Sequence, residues 1–66
     1  MIKVYSTNAC PKCKIITSAF DAAGLKYIEI FNTDFLVAKG FDSVPQIQGE
    51  DGVFRNFIEA KEYYGL

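Results

Sequence analysis

The chain has 66 residues, 50% of them hydrophobic and 23% charged, which is the composition of a folded domain and not of a disordered segment. This length leaves room for one domain, residues 1–66, near the lower limit at which a chain folds without added support. Seven basic and eight acidic residues give a net charge of −1, which excludes the strong field that attracts nucleic acid or anionic lipid.

The first two predicted elements are a strand and a helix. Ile2 to Tyr5 alternates apolar and mixed residues, as a strand does, and a loop of polar composition follows it. Pro11 suits the first position of a helix, where its missing N–H costs nothing, so Cys10 becomes the N-cap residue. We expect the helix to run to about Ala23 and to end at Gly24 in the left-handed conformation.

One face of this helix carries the residues expected to pack on a sheet. They follow the i, i+3, i+4, i+7 spacing that brings side chains to one side of a helix: Cys13, Ile16, Ala19, Phe20 and Ala23. Cys13 is therefore predicted to point inward, whereas Cys10 is predicted to lie at the exposed tip of the helix.

The middle of the chain predicts a second strand and a short helix. Residues 26–31 are rich in aromatic and β-branched side chains and should form a strand parallel to the first, joined to it by a right-handed crossover. Asn32 or Thr33 can cap a helix of barely two turns over residues 34–39, which Gly40 would end.

The last third of the chain predicts a hairpin and a final helix. The elements are a strand at 46–48, a turn at 49–52, a strand at 53–55 and a helix at 57–64. Asn56 and Glu59 match a capping box at the start of that helix, and Gly65 should end it.

The two cysteines, with two residues between them, decide the class of function. The first five residues are too short for a signal peptide, and no apolar stretch approaches the roughly 20 residues that cross a bilayer. We therefore expect a cytoplasmic chain without membrane contact. A structural disulfide does not persist in a reducing compartment, so the spacing indicates either redox turnover or a metal site.

The segment Cys10-Pro11-Lys12-Cys13 has the features of a redox-active dithiol. A thiol attacks a disulfide only as its thiolate, and a helix N-terminus and the nearby ammonium group of Lys12 both favour that anion at Cys10. The spacing at a helix start also brings two sulfur atoms close enough to form an intramolecular disulfide. We therefore expect Cys10 to act as the nucleophile and Cys13 to resolve the mixed disulfide, with Pro11 and Lys12 stabilising the thiolate.

Two alternatives use the same cysteines differently. A purely structural bridge closing so short a loop would contribute only about 2 kcal/mol. A metal site would need further ligands, because the chain has two cysteines and no histidine, so a monomer cannot close a tetrahedral site. A dimer holding an iron–sulfur cluster between two chains could do so. We expect no bound metal or cofactor in the monomer.

The order of motifs along the chain resembles the glutaredoxins and NrdH-like redoxins of the thioredoxin-fold superfamily. The Cys-Pro-Lys-Cys motif lies between a strand and a helix, and Ser43-Val44-Pro45 opens a later strand. The resemblance implies an α/β fold of order β-α-β-α-β-β-α, with a four-stranded mixed sheet flanked by helices. It also implies that Pro45 is cis and that Ser43 and Val44 lie beside the cysteines, where the Val44 backbone could pair with an extended substrate. A plain strand-entry proline is the alternative for Pro45.

The same resemblance implies the reaction and its partners. It predicts an enzyme, a thiol–disulfide oxidoreductase acting on protein or glutathione-mixed disulfides, with ribonucleotide reductase as a candidate acceptor. Its electrons would come from glutathione, or from NADPH through thioredoxin reductase, and it would act as a monomer. Gly52-Val53-Phe54-Arg55 is similar to a segment of the NrdH-like redoxins, although Arg55 could equally be a solvated hairpin charge. A peptide-binding adaptor that uses the Val44 edge is a further reading.

Overall fold

The computed structural model describes all residues, 1–66, and contains four strands and three helices. In chain order they are β1 (Ile2–Tyr5), α1 (Pro11–Ala22), β2 (Tyr27–Ile30), α2 (Thr33–Ala38), β3 (Gln46–Gln48), β4 (Phe54–Arg55) and α3 (Phe57–Tyr64). The type and order of every element are those predicted from the sequence, and no end differs from its predicted position by more than one residue.

The four strands form one mixed sheet in the order β2-β1-β3-β4. β1 and β2 are parallel, with Ile2 opposite Tyr27, so the predicted parallel crossover is confirmed. β3 runs antiparallel to β1, and β4 returns antiparallel to β3 as the predicted hairpin. Because β1 and β2 are parallel, their carboxyl ends lie at the same end of the sheet, where α1 begins.

One face of the sheet carries the apolar core, together with α1 and α3. The core consists of buried residues from both helices and from two strands: Ile2, Val4, Ile16, Phe20, Ile47 and Ala60. The ring of Phe20 meets that of Tyr64 edge-on at 5.2 Å between centroids and lies 5.6 Å from that of Tyr27. Aromatic pairs at these separations add to the stabilisation that burial supplies.

The predicted apolar face of α1 needs one correction. Ala23 is exposed, because it lies at the C-cap beyond the last helical residue. Thr17 is buried in its place, and its hydroxyl donates to the carbonyl oxygen of Cys13 at 3.0 Å. A buried hydroxyl is tolerated where it makes such a bond, because the bond replaces the one it loses to water.

The opposite face of the sheet is covered by α2 and a layer of aromatic rings. Because neighbouring residues of a strand point to opposite faces, Tyr5 points away from the core. Its ring stacks on Phe35 of α2 at 5.1 Å and approaches Phe54 at 5.8 Å, and Phe41 lies 5.0 Å from Phe54. The role in packing therefore accounts for the burial of Tyr5.

Local side-chain chemistry fixes the helix ends. Asn32 caps α2, accepting a hydrogen bond from the Phe35 N–H at 3.3 Å. Asn56 and Glu59 form the predicted capping box of α3, with bonds of 2.8 and 3.0 Å. Gly65 ends α3 at φ 69°, a left-handed conformation that costs glycine least. None of the three helices has the length and apolar character needed to span a membrane.

Candidate active site

Cys10 and Cys13 are joined by a disulfide at the start of α1. Their Cα atoms lie 5.3 Å apart, within the range that a disulfide spans without backbone movement. These are the only cysteines in the chain, and the structure therefore represents the oxidised state of the motif.

The backbone around the disulfide begins a helix in the way the sequence predicts. Pro11 is the first helical residue, and Cys10 is the N-cap, with φ −114° and ψ 103° in the extended region. The Sγ atom of Cys10 accepts a hydrogen bond from the backbone N–H of Cys13 at 3.1 Å. An acceptor at this position lies at the positive end of the helix dipole, so the same sulfur would be favoured as an anion after reduction.

The predicted exposure of Cys10 is wrong. Cys10 is 7% exposed and Cys13 is 1% exposed, so both are buried. Cys10 loses its exposure because its sulfur turns back to bond Cys13 and to accept the Cys13 N–H. What remains accessible opens into a shallow pocket lined by Asn8, Ala9, Cys10, Pro11 and Lys14. Cys10 is still the more accessible of the two sulfur-bearing residues.

Lys12, within the motif, and Lys14, directly after it, point in different directions. The Nζ atom of Lys12 lies 5.8 Å from the ring centroid of Phe57 in α3, a cation–π contact. Lys14, in contrast, lines the pocket that contains Cys10. The side chain of Lys12, which we expected to stabilise the thiolate, is therefore engaged with α3.

A second groove lies beside the loop that precedes β3. The Val44–Pro45 peptide bond is cis, the isomer that the family resemblance implies for Pro45. The groove has a volume of about 150 Å³ and is lined by Lys12, Ser43, Val44, Pro45, Asn56, Phe57 and Ile58. Lys12, one of the two residues between the cysteines, thus lines the same groove as the three residues named from the resemblance.

Gln46 holds this loop in place and was not predicted as a site residue. Its buried side-chain amide donates to the carbonyl oxygen and to the hydroxyl of Ser43, both at 3.2 Å. The hydroxyl of Ser43 therefore has a structural partner within the loop. The sequence signal for these hydrogen bonds was an amide side chain directly after Pro45, three residues from Ser43.

Ser6 is a second residue that the sequence did not single out. It follows β1, its backbone N–H donates to the carbonyl oxygen of Ile30 at 2.9 Å, and it is 1% exposed. Its Oγ atom is the only buried side-chain nitrogen or oxygen without a hydrogen-bond partner. The alternation Ile2, Val4, Ser6 was the available signal, because it continues the buried face of β1 into the loop.

The side chain of Arg55 is held by two contacts within the chain. Its guanidinium forms an ion pair with Asp51 at 3.0 Å and lies 3.5 Å above the ring centroid of Tyr63. The hydrogen bond from Arg55 lowers the pKa of the Asp51 carboxyl below its usual value of 3.8. Arg55 therefore fastens the β3–β4 turn to α3. The interpretation of Arg55 as a solvated hairpin charge is wrong, because its guanidinium pairs with Asp51 and lies over the ring of Tyr63.

No three side chains among the histidines, cysteines, aspartates and glutamates come close enough together to hold a metal ion. The two cysteine sulfurs are the thiol ligands that the chain can offer.

Comparison with known proteins does not identify a family. No family model matches the chain, and no curated protein or solved structure matches it. A function has to be inferred from the residues of the site and from their geometry.

Proposed function

We propose that the chain is a thiol–disulfide oxidoreductase of the glutaredoxin or NrdH-like kind, built on a thioredoxin-like fold. The observation that carries this proposal is the position of the Cys10 sulfur. It is the N-cap acceptor of α1, it lies 3.1 Å from the Cys13 N–H, and its partner in the disulfide is Cys13 itself. A sulfur in that environment is stabilised as a thiolate and can be reoxidised within the same helical turn.

The architecture supports the fold part of the proposal. A parallel βαβ unit is followed by a short helix, an antiparallel hairpin and a last helix. The disulfide lies at the start of α1, and the cis Val44–Pro45 bond directly precedes β3. This is the order of features that the resemblance to glutaredoxins implies.

The first chemical step joins the enzyme to its substrate. In the reduced protein the Cys10 thiolate attacks one sulfur of the substrate disulfide. A bond forms between Cys10 and that sulfur, the substrate S–S bond breaks, and the other substrate sulfur leaves as a thiolate. The hydrogen-bond acceptor of the Cys13 N–H, the Cys10 sulfur, thereby changes from an anionic thiolate to a neutral disulfide sulfur.

The second step releases the product. The thiol of Cys13 gives its proton to the departed substrate thiolate or to water, and the resulting thiolate attacks the Cys10 sulfur. The Cys10–Cys13 disulfide forms, the mixed disulfide breaks, and the second substrate sulfur leaves and takes up a proton. Two electrons have then passed to the substrate, and the protein has the oxidised form that the structure represents.

The loop before β3 supplies a means of holding a protein substrate. Val44 lies just before β3, and neither its N–H nor its C=O takes part in a backbone–backbone hydrogen bond of a loop or turn. An extended segment could therefore pair with Val44 as an added strand beside the disulfide. Disulfide-bearing proteins, with ribonucleotide reductase among the candidates, fit this mode better than free small disulfides.

The oxidised protein must be reduced again by an external dithiol or thiol. Glutathione with glutathione reductase, and NADPH with thioredoxin reductase, are the two donors to compare in a coupled NADPH-consumption assay. A faster rate of NADPH consumption with one donor assigns the chain to that donor class. Each assay contains only the reductase of the donor that it tests.

Turnover of a disulfide tests the proposal. The reduced protein should reduce insulin or a small aromatic disulfide, and Cys10→Ser should abolish that activity because the nucleophile is gone. Ser18→Ala, a change at an exposed position of α1 away from its first turn, is the matched control and should keep full activity. Equal rates for the wild type and Cys10→Ser would overturn the proposed function.

A further inference from the structure

Two lysines, one from α1 and one from α3, approach the ring of Phe57. Nζ of Lys12 in α1 lies 5.8 Å from the ring centroid, and Nζ of Lys61 in α3 lies 5.4 Å from it. Neither lysine forms an ion pair, since the one ion pair of the chain joins Asp51 and Arg55. Two cations thus approach one aromatic side chain, and neither of them is held in an ion pair.

An exposed apolar side chain lies next to this pair of lysines. Ile58 is 64% exposed, although it follows Phe57 directly in the first turn of α3. Phe57 and Ile58 line the groove beside Pro45, and they also line a neighbouring groove of about 270 Å³ that includes Lys61. The two grooves therefore share a wall and form one surface, which we define by Lys12, Phe57, Ile58 and Lys61.

No acidic side chain lines the part of this surface that lies in the groove beside Pro45. Lys12 is the only charged residue that lines the groove beside Pro45. The carboxylate of Glu59 is turned back to the start of α3, where it accepts the Asn56 N–H at 3.0 Å. Glu62 lines only the outer groove, beside Lys61. Lys12, which lines the groove that contains the cis proline, shares that groove with no carboxylate.

We propose that the Lys12–Phe57–Ile58–Lys61 surface selects protein substrates in which the reactive disulfide is flanked by an acidic residue and an apolar residue. This inference rests on the proposed function and names the substrate class of the same site. The acidic side chain meets Lys12, and the apolar side chain packs on Phe57 and Ile58. Opposite charges at such a site accelerate encounter and disfavour basic partners, while the aromatic and aliphatic groups supply contact area.

Three disulfide peptides of equal length test this inference. They differ only in the residues beside the cysteine: glutamate with leucine, lysine with leucine, and serine with glycine. At low salt we expect the wild type to reduce the first peptide about tenfold faster in kcat/KM than the second. The difference should shrink as salt is added, because ions screen exposed charges.

Charge-reversed variants identify the residues responsible. The measured quantity is the ratio of kcat/KM for the acidic and the basic peptide, in which a general change of activity cancels. Lys12→Glu should invert that ratio and Lys61→Glu should reduce it. Lys26→Glu is the matched control, because Lys26 precedes the start of β2, at the end of the sheet far from the disulfide, and it should leave the ratio unchanged.

The outcomes separate this inference from the function on which it rests. A wild type that reduces all three peptides at equal rates, or an equal ratio in Lys12→Glu and Lys26→Glu, would overturn the inference and leave the reductase intact. A wild type that reduces no disulfide at all would overturn both. An inverted ratio in Lys12→Glu alone supports the proposed substrate class.

Discussion

The two cysteines differ in their surroundings although they lie within one helical turn. Cys10 sits at the N-cap and borders a pocket open to solvent, whereas Cys13 is inside the turn and only 1% exposed. The roles follow from this difference, because a nucleophile has to reach a substrate and a resolving thiol has only to reach its neighbour.

The cap at Cys10 was predictable from the sequence, but the burial of Cys10 was not. Pro11 marks the first helical residue by a purely local rule, and the residue before it must be the cap. Its burial depends on the direction that the sulfur takes once the cap hydrogen bond and the disulfide have formed. Ser6 was missed for a related reason, because its loop composition hid a position that continues the buried face of β1.

Replacing Ser6 by alanine should not destabilise the fold. The buried hydroxyl of Ser6 has no hydrogen-bond partner, so its removal relieves a desolvation cost of about 1 kcal/mol or more. We expect the free energy of unfolding of Ser6→Ala, measured with urea, to equal or exceed that of the wild type. Thr17→Ala is the comparison and should be less stable, because the Thr17 hydroxyl is bonded to the Cys13 carbonyl. A clear loss of stability in Ser6→Ala would contradict this account.

At the scale of elements, the sequence predicts whether a segment is a helix or a strand better than it predicts the residue at which that element begins or ends. The capping box of Asn56 and Glu59 and the glycine at position 65 are local signals, and α3 begins and ends where they predict. β4 is one residue shorter than predicted because the Val53 N–H donates to the Asp51 carboxylate at 3.1 Å. That bond makes Val53 part of the turn. It depends on a side-chain conformation that strand periodicity does not encode.

The Asp51–Arg55 ion pair of the β3–β4 turn should be lost in acid. The Asp51 pKa lies below its usual value of 3.8 in the folded chain, so the ion pair with Arg55 stabilises the fold above that value. The stabilisation is lost as the pH falls from neutral through the folded pKa of Asp51, which lies below 3.8. We expect the difference in unfolding free energy between the wild type and Asp51→Asn to shrink over this range, as followed by urea unfolding.

Arg55→Met provides the control for this acid effect. It removes the partner of Asp51, so adding Asp51→Asn to Arg55→Met should change the unfolding free energy by an amount that depends less on pH than in the wild type. If the wild type and Asp51→Asn differed by the same amount at neutral and acid pH, the ion pair would have no part in holding the turn.

At the scale of the whole molecule, stability depends on a small core. Phe20 is fully buried between β1, β2 and α3, and it touches the rings of Tyr27 and Tyr64. A chain of this length has little stability in reserve, since small domains bury a smaller fraction of their surface. The second face of the sheet adds the aromatic layer around Tyr5 and Phe54.

Removal of the Phe20 ring should unfold much of the population. Phe20→Ala leaves a cavity and should cost about 3 to 5 kcal/mol, a large part of the stability of a domain of this size. Phe31→Ala is the matched control, because Phe31 is largely exposed and its loss should change the melting temperature little. Thermal unfolding followed by circular dichroism would show the difference, and equal melting temperatures would contradict the position given to Phe20.

The long-range contacts of the site could not be predicted from the sequence. Periodicity and capping rules act over a few residues, whereas the approach of Lys12 to Phe57 joins two helices that are distant in the chain. The packing of Arg55 on Tyr63 joins β4 to the end of α3, which is also farther than those rules reach. The motif and the cap could be predicted because each is local, and the cis isomer of Pro45 was predicted only from the family resemblance. The surface that connects them is a product of the assembled fold.

The central claim is that Cys10 attacks a disulfide and Cys13 resolves it, and a trapped intermediate tests it most directly. Reduced Cys13→Ser, mixed with a disulfide peptide and quenched with acid, should accumulate a peptide adduct on Cys10 that intact-mass and fragment analysis can locate. Reduced wild type under the same conditions should give the intramolecular disulfide and free peptide thiol, because Cys13 resolves the adduct. If Cys13→Ser formed no adduct, or if Cys10→Ser formed one on Cys13 at the same rate, the assignment of the two roles would be contradicted.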